Sequence, residues 1–101
     1  GNTSPDQGGG MSNLNGSNSI LENCTFTGNQ VPNGNGGGMY VNYSSPSLTD
    51  CTFMDNTALW GGGLYNHTKS GTTLTGCELT NKAVGGVIFT WSRPKLTDTI
   101  V

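Results

Sequence analysis

The chain has 101 residues, a formal net charge of -2 and 10% charged residues. Gly, Asn, Ser and Thr fill 52 of the 101 positions. These are weak helix formers, and Ala, Glu and Lys are scarce, which excludes a helical bundle. Four Lys and Arg form no basic field for a phosphate backbone, and no apolar run is long enough for a membrane-spanning helix. Neither nucleic-acid binding nor a membrane-spanning segment is therefore expected.

Taken in order, the chain is a repeat. Residues 1–11, GNTSPDQGGGM, parallel residues 28–39, GNQVPNGNGGGM. The first glycine triplet, Gly8 to Gly10, leads into Met11, and an apolar block, ILENCTF, follows at 20–26. The second triplet, Gly36 to Gly38, leads into Met39 and then SLTDCTF at 47–53. The third, Gly61 to Gly63, leads into Leu64 and then TLTGCEL at 73–79. A worn copy, Gly85-Gly86-Val87, precedes KLTDTIV at 95–101. Cys24, Cys51, Cys77 and Thr99 share one slot, at spacings of 27, 26 and 22 residues.

That period is too short for helical repeats of 33–34 residues, and one Leu per unit is too few for a leucine-rich repeat. It suits an all-β solenoid, a parallel β-helix with one repeat per coil. About four coils are expected, at 1–27, 28–54, 55–79 and 80–101. In register, equivalent side chains lie ~4.8 Å apart along the axis. The expected core columns are Leu21, Leu48, Leu74 and Leu96; Cys24, Cys51, Cys77 and Thr99; Phe26, Phe53, Leu79 and Val101; and Met11, Met39, Leu64 and Val87. The glycine triplets open another strand of each coil and let neighbouring coils approach closely. The chain begins and ends inside a repeat, so further coils or identical subunits are expected at both ends.

Cys51 and Phe53 are two apart and share one strand face, whereas Leu48 is three before Cys51. A corner must separate them. Asn23, Asp50, Gly76 and Asp98 occupy it, and all four residue types tolerate a left-handed backbone.

Three cysteines cannot all pair within the chain, and in-register side chains on parallel strands point the same way. They are expected to be buried free thiols. No CxxC occurs, and the single His67 belongs to another part of the coil, so no metal and no cofactor are expected. His67 itself is placed on the surface. The six carboxylates are scattered, and Asp50 and Asp55 read as turn residues rather than a hydrolytic pair. Tyr40 and Tyr65 hold equivalent outward slots, with Tyr43, Trp60, His67 and Trp91 in adjoining loops. An aromatic strip of this kind could stack on sugar rings, with Asn, Ser and Thr supplying hydrogen bonds. Asn2, Asn42 and Asn66 begin Asn-x-Ser/Thr triplets in segments expected to be exposed, and Asn23 begins another.

Gly-Gly-Gly with Met or Leu at 36–39 and 61–64, Ser-Pro-x-Leu-Thr-x-Cys-Thr-Phe at 45–53, and Phe-x-x-Asn at 26–29 and 53–56 resemble the repeats of bacterial cell-surface right-handed parallel β-helix proteins. These include the polymorphic outer-membrane proteins of chlamydiae and surface repeats of Bacteroidota. The resemblance thins in the last coil, where Leu79-Thr-Asn-Lys82 lacks the Asn in its slot and Thr99 replaces Cys. It implies an extracellular or outer-surface, adhesin-like protein. No enzymatic activity is expected, because the carboxylates are scattered, and glycans or a host or neighbouring cell surface are the partners that the aromatic strip suggests. A self-assembling fibre subunit and a non-catalytic piece of a polysaccharide-active enzyme are the alternative expectations.

Overall fold

In a computed structural model, the described residues are 1–67, 70–83, 88–90 and 95–99. Among them the strands are β1 (Met11–Leu14), β2 (Ile20–Glu22), β3 (Thr25–Thr27), β4 (Gln30–Asn35), β5 (Met39–Asn42), β6 (Ser47–Thr49), β7 (Thr52–Trp60), β8 (Leu64–Asn66), β9 (Thr73–Thr75), β10 (Glu78–Ala83), β11 (Ile88–Thr90) and β12 (Lys95–Thr97). They pair in parallel as three sheets, β1-β5-β8-β11, β2-β6-β9-β12, and β3 and β4 with β7 and then β10. Each turn of the chain thus adds one rung to each of three faces. The fold is a parallel β-helix.

The register joins like to like. Leu21 pairs with Leu48, Leu48 with Leu74 and Leu74 with Leu96. Phe26 pairs with Phe53, and Phe53 with Leu79. Leu48, Phe53, Leu74, Leu79, Met39, Val41 and Leu64 are buried, with Cys51 and Cys77 among them. Apolar burial at about 25 cal/mol per Å² drives this stacking. The Phe26 and Phe53 rings stack at 4.6 Å with 9° between their planes.

Both ends of the corner follow from backbone chirality. Asn23, Asp50 and Asp98 have φ of 54°, 53° and 48°, and Gly76 has 63°. The left-handed residue turns the strand and resets which face looks inward. Cross-coil bonds there are made by the backbone: Asp50 N–H donates to Thr75 O at 2.9 Å and Gly76 N–H to Thr97 O at 2.9 Å. At the glycine corner, Gly36 takes φ 70°, and a Cβ on Gly38 would lie 2.6 Å from the Phe53 ring. The core aromatic column packs directly on glycine backbone, which is why the triplets carry no side chains.

Four expectations need correction. Ile88, not Val87, pairs with Leu64, so the worn repeat sits one residue out of step; Val87 itself lies outside the described residues, as does Val101. Leu96 is 42% exposed rather than core, because β12 is the outermost strand of its sheet. Lys82 pairs with Thr57, so Asn81 directly precedes Lys82 as Asn56 precedes Thr57. The asparagine slot is therefore kept in the last coil through a one-residue shortening. Asn66, expected in an exposed loop, is buried.

Candidate functional site

Strands β5 and β8 place Met39, Val41 and Leu64 inward, so Tyr40 and Tyr65 lie on the outer face. The register aligns Ser12, Tyr40, Tyr65 and Phe89 in one row. The two tyrosine rings stack at 5.4 Å, 14° from parallel. The His67 ring lies 5.7 Å from Tyr65 and 6.3 Å from Tyr40. Tyr40 and Tyr65 are only 4% and 5% exposed, and His67 is half-buried. This corrects the expectation of a sugar-facing strip through Tyr40 and Tyr65, and of a surface His67. Rings one coil apart cover each other's faces, and the residue two further along the strand closes the group. Burial, with Tyr65 alongside, pushes the Tyr40 hydroxyl's pKa up.

The open aromatics lie at the two rims of this face. Tyr43, 48% exposed, follows β5 and holds φ 52°. Asn15 occupies the same turn one coil earlier with φ 53°. A left-handed backbone is ordinary for Asn and unfavourable for Tyr. Trp60, 43% exposed, closes β7 beside exposed Leu59. Trp91 lies outside the described residues.

Trp60 belongs to a column that its sequence position conceals. It pairs with Asn35, and Asn35 bridges to Gln7. Each of the three directly precedes a glycine triplet. Between Val31 and Asn35 the chain is two residues longer than between Ala58 and Trp60, and β4 bulges over Pro32 to Gly34. The bulge is tied down at its far end, where Asn35 N–H donates to Asp6 O at 3.3 Å.

Beneath these surfaces run polar ladders. The Asn56 Oδ1 accepts the backbone N–H of Asn29 at 3.0 Å and its Nδ2 at 2.9 Å, and Asn56 Nδ2 donates to Phe26 O at 2.8 Å. Asn29 Oδ1 accepts from Asn2 N–H at 2.9 Å. These asparagines sit just past left-handed residues, Gly28 (φ 65°) and Asp55 (φ 55°), where the strand pairing alone leaves backbone groups to satisfy. Two further pairs close the turn after the tyrosine face: Ser19 Oγ donates to Asn13 Oδ1 at 2.6 Å in a part-buried bond, and Thr72 Oγ1 to Asn66 Oδ1 at 2.7 Å in a buried one. Sequence reasoning missed both sets. The signal for the first was the Asn recurring three residues after Phe26 and Phe53.

The cysteines are free thiols, with Cys51 and Cys77 buried and Cys24 half-buried. Cys51 Sγ lies 3.7 Å from Leu21 O and 3.5 Å from Thr49 O; Cys77 Sγ lies 3.5 Å from Leu48 O and 3.6 Å from Thr75 O. Thr99 repeats this geometry with a hydroxyl, 3.2 Å from Leu74 O and 3.0 Å from Thr97 O. The slot calls for a small donor facing two carbonyls, which Thr and Cys both supply. Burial pushes the Cys51 thiol's pKa up and keeps it protonated. Asp50 and Asp55 are both left-handed corner residues. Among the described residues, no group of three or more His, Cys, Asp or Glu side chains is placed to hold a metal ion.

Three parallel faces, in-register core columns and left-handed corners define a solenoid of the parallel β-helix class. The chain belongs to the right-handed β-helix region family, whose model matches residues 1–100. Comparison with curated proteins and with solved structures gave no match.

Proposed function

We infer that the chain is a stiff, non-catalytic display segment of an extracellular or cell-surface protein, adhesin-like in role. The observation that carries this is Tyr43. A half-exposed ring is held on a backbone conformation that disfavours it, at a turn where Asn15 does the same backbone job without strain. A residue kept in that position contributes through its outward side chain. The asparagine and thiol ladders lock successive coils together, so the flank holds its contact residues in fixed spacing.

Antibody labelling of intact source cells, with protease shaving of the same cells, tests the reading. Labelling and release of the segment from intact cells support it; a signal seen only after lysis overturns it. Release of new reducing ends from polysaccharides by the purified segment would overturn the non-catalytic part.

End-to-end association is the second reading. A cleft of about 300 Å³ lined by Gly1, Asn2, Gly10, Thr25, Phe26, Thr27 and Asn29 lies at the outer coil. It sits over Phe26, where one more ring or aliphatic side chain would extend the Phe26–Phe53 stack, supplied by a further coil or by an identical subunit.

A further inference from the structure

We propose that the first coil is the docking face for the last coil of a second copy of this chain, so that copies stack head to tail along the solenoid axis. The proposal rests on the end-to-end reading above and names its partner and its register. At one end β1, β2 and β3 are the outermost strands of their sheets, and at the other β11 and β12. An outermost strand offers its backbone donors and acceptors to a further parallel strand. The cleft over Phe26 opens on the first of these ends. On the other, Leu96 is exposed, whereas Leu48 and Leu74 of the same column are buried.

Charge selects the occupant. The basic residues, Lys69, Lys82, Arg93 and Lys95, all follow residue 68, whereas the charged side chains before it are the carboxylates of Asp6, Glu22, Asp50 and Asp55. The first coil thus carries Asp6 and Glu22, and the last carries Lys82, Arg93 and Lys95 against Asp98. Unlike ends attract and like ends repel. Continuing the register of β2, β6, β9 and β12 by one step sets Lys95 of the second copy beside Ile20, its Leu96 on Leu21 and its Thr97 beside Glu22. Ile20 and Glu22 flank buried Leu21 on the outer face, and Lys95 and Thr97 flank Leu96 in the same way. The Lys95 stem then covers Ile20, which is 78% exposed, and its ammonium reaches the Glu22 carboxylate on the diagonal. Leu96 completes the leucine column from one copy into the next. A contact between unlike ends along one axis does not close on itself, so it propagates as a thread.

The test is sedimentation velocity of the whole chain across a wide concentration range, with electron microscopy of the same samples. The chain should form linear oligomers that lengthen with concentration, one solenoid wide. Glu22→Lys places two cations at the junction and Lys95→Glu two carboxylates, so each variant alone should self-associate several-fold more weakly. An equal mixture of the two restores an opposite pair at every junction and should recover the parent's association. Leu96→Asp should weaken association about tenfold or more, since it sets a carboxylate against Leu21. Glu22 and Lys95 are exposed, so their reversal leaves the single copy folded, which circular dichroism checks. A chain that stays monomeric at every concentration overturns the proposal, while a further coil remains open as the occupant of the end. Single reversals that associate like the parent, or a mixture no tighter than either variant alone, overturn the register and leave end-to-end association standing. Side-by-side packing in the micrographs overturns both.

Discussion

Asn29 gives both its backbone N–H and its side-chain Nδ2 to a single acceptor, the Oδ1 of Asn56, at 3.0 and 2.9 Å. The bond spans one full coil, so it fastens one rung of the solenoid to the next at the place where a left-handed residue interrupts the strand. Asn56 is fully buried and also donates to Phe26 O.

Replacing Asn56 with Ala should therefore leave both donors of Asn29 without their acceptor and take one donor away from the Phe26 carbonyl. The expected loss is about 2–4 kcal/mol, from the 1–3 kcal/mol range for each unsatisfied buried group. Urea unfolding measures it. A loss of less than about 0.5 kcal/mol would mean that water replaces these bonds and that the ladder holds nothing.

The glycine triplets and the isolated turn glycines should differ sharply. A Cβ on Gly38 meets the Phe53 ring and the backbone of Gly63, neither of which can retreat, whereas a Cβ on Gly16 meets nothing within 4 Å. Gly38→Ala should lower stability by more than about 3 kcal/mol or prevent folding. Gly16→Ala carries only the left-handed backbone penalty at φ 85°, about 1–2 kcal/mol. Thermal melts of the two variants should be clearly separated, and equal shifts would contradict the packing described.

Tyr43→Asn should stabilise the protein by about 0.5–1 kcal/mol, since Asn tolerates the left-handed conformation that Tyr resists. The urea midpoint reports it against the parent. A destabilised Tyr43→Asn would show that the ring packs for stability and would remove the main support for the display reading.

Stability should fall as pH rises above about 9. The Cys51 thiol is pushed above its ordinary 9.0 by burial, and the Tyr40 hydroxyl above 10.0. Over that window the unfolded chain has released protons that the folded chain still holds, so ν_U is smaller than ν_N and the free energy of unfolding decreases with pH. Urea midpoints at about pH 7.5 and about pH 10 should differ in that direction. Cys51→Ala should flatten the earlier part of the decline; an unchanged slope would place the titration elsewhere. In the native state at neutral pH, Cys24 should react with a thiol reagent ahead of buried Cys51 and Cys77.

The core columns were legible from residue order because a solenoid repeats its cross-section. Leu21, Leu48 and Leu74 had to align once the period was known, and the three-residue step from Leu48 to Cys51 required a bend at Asp50. Thr99 could be placed in the cysteine slot for the same reason, although what it does there became clear only from its two carbonyl neighbours. The one-residue slip to Ile88 was not legible, because a worn triplet contains no marker of which glycine is missing.

Periodicity along the chain alone determined the class of fold, the core and its corners, since apolar side chains recurring once per coil have only one dry place to go. What lies on the outside was decided by tertiary structure. An outward slot says nothing of what covers it, so Tyr40 and Tyr65 turned out buried while Tyr43 and Trp60 stayed open. The alignment of Gln7, Asn35 and Trp60 exists only because β4 bulges by two residues, a local excess that spacing alone records as noise. The asparagine ladder, too, needed coordinates: a polar side chain facing inward is stable only when its partners close around it, and those partners come from the neighbouring coil.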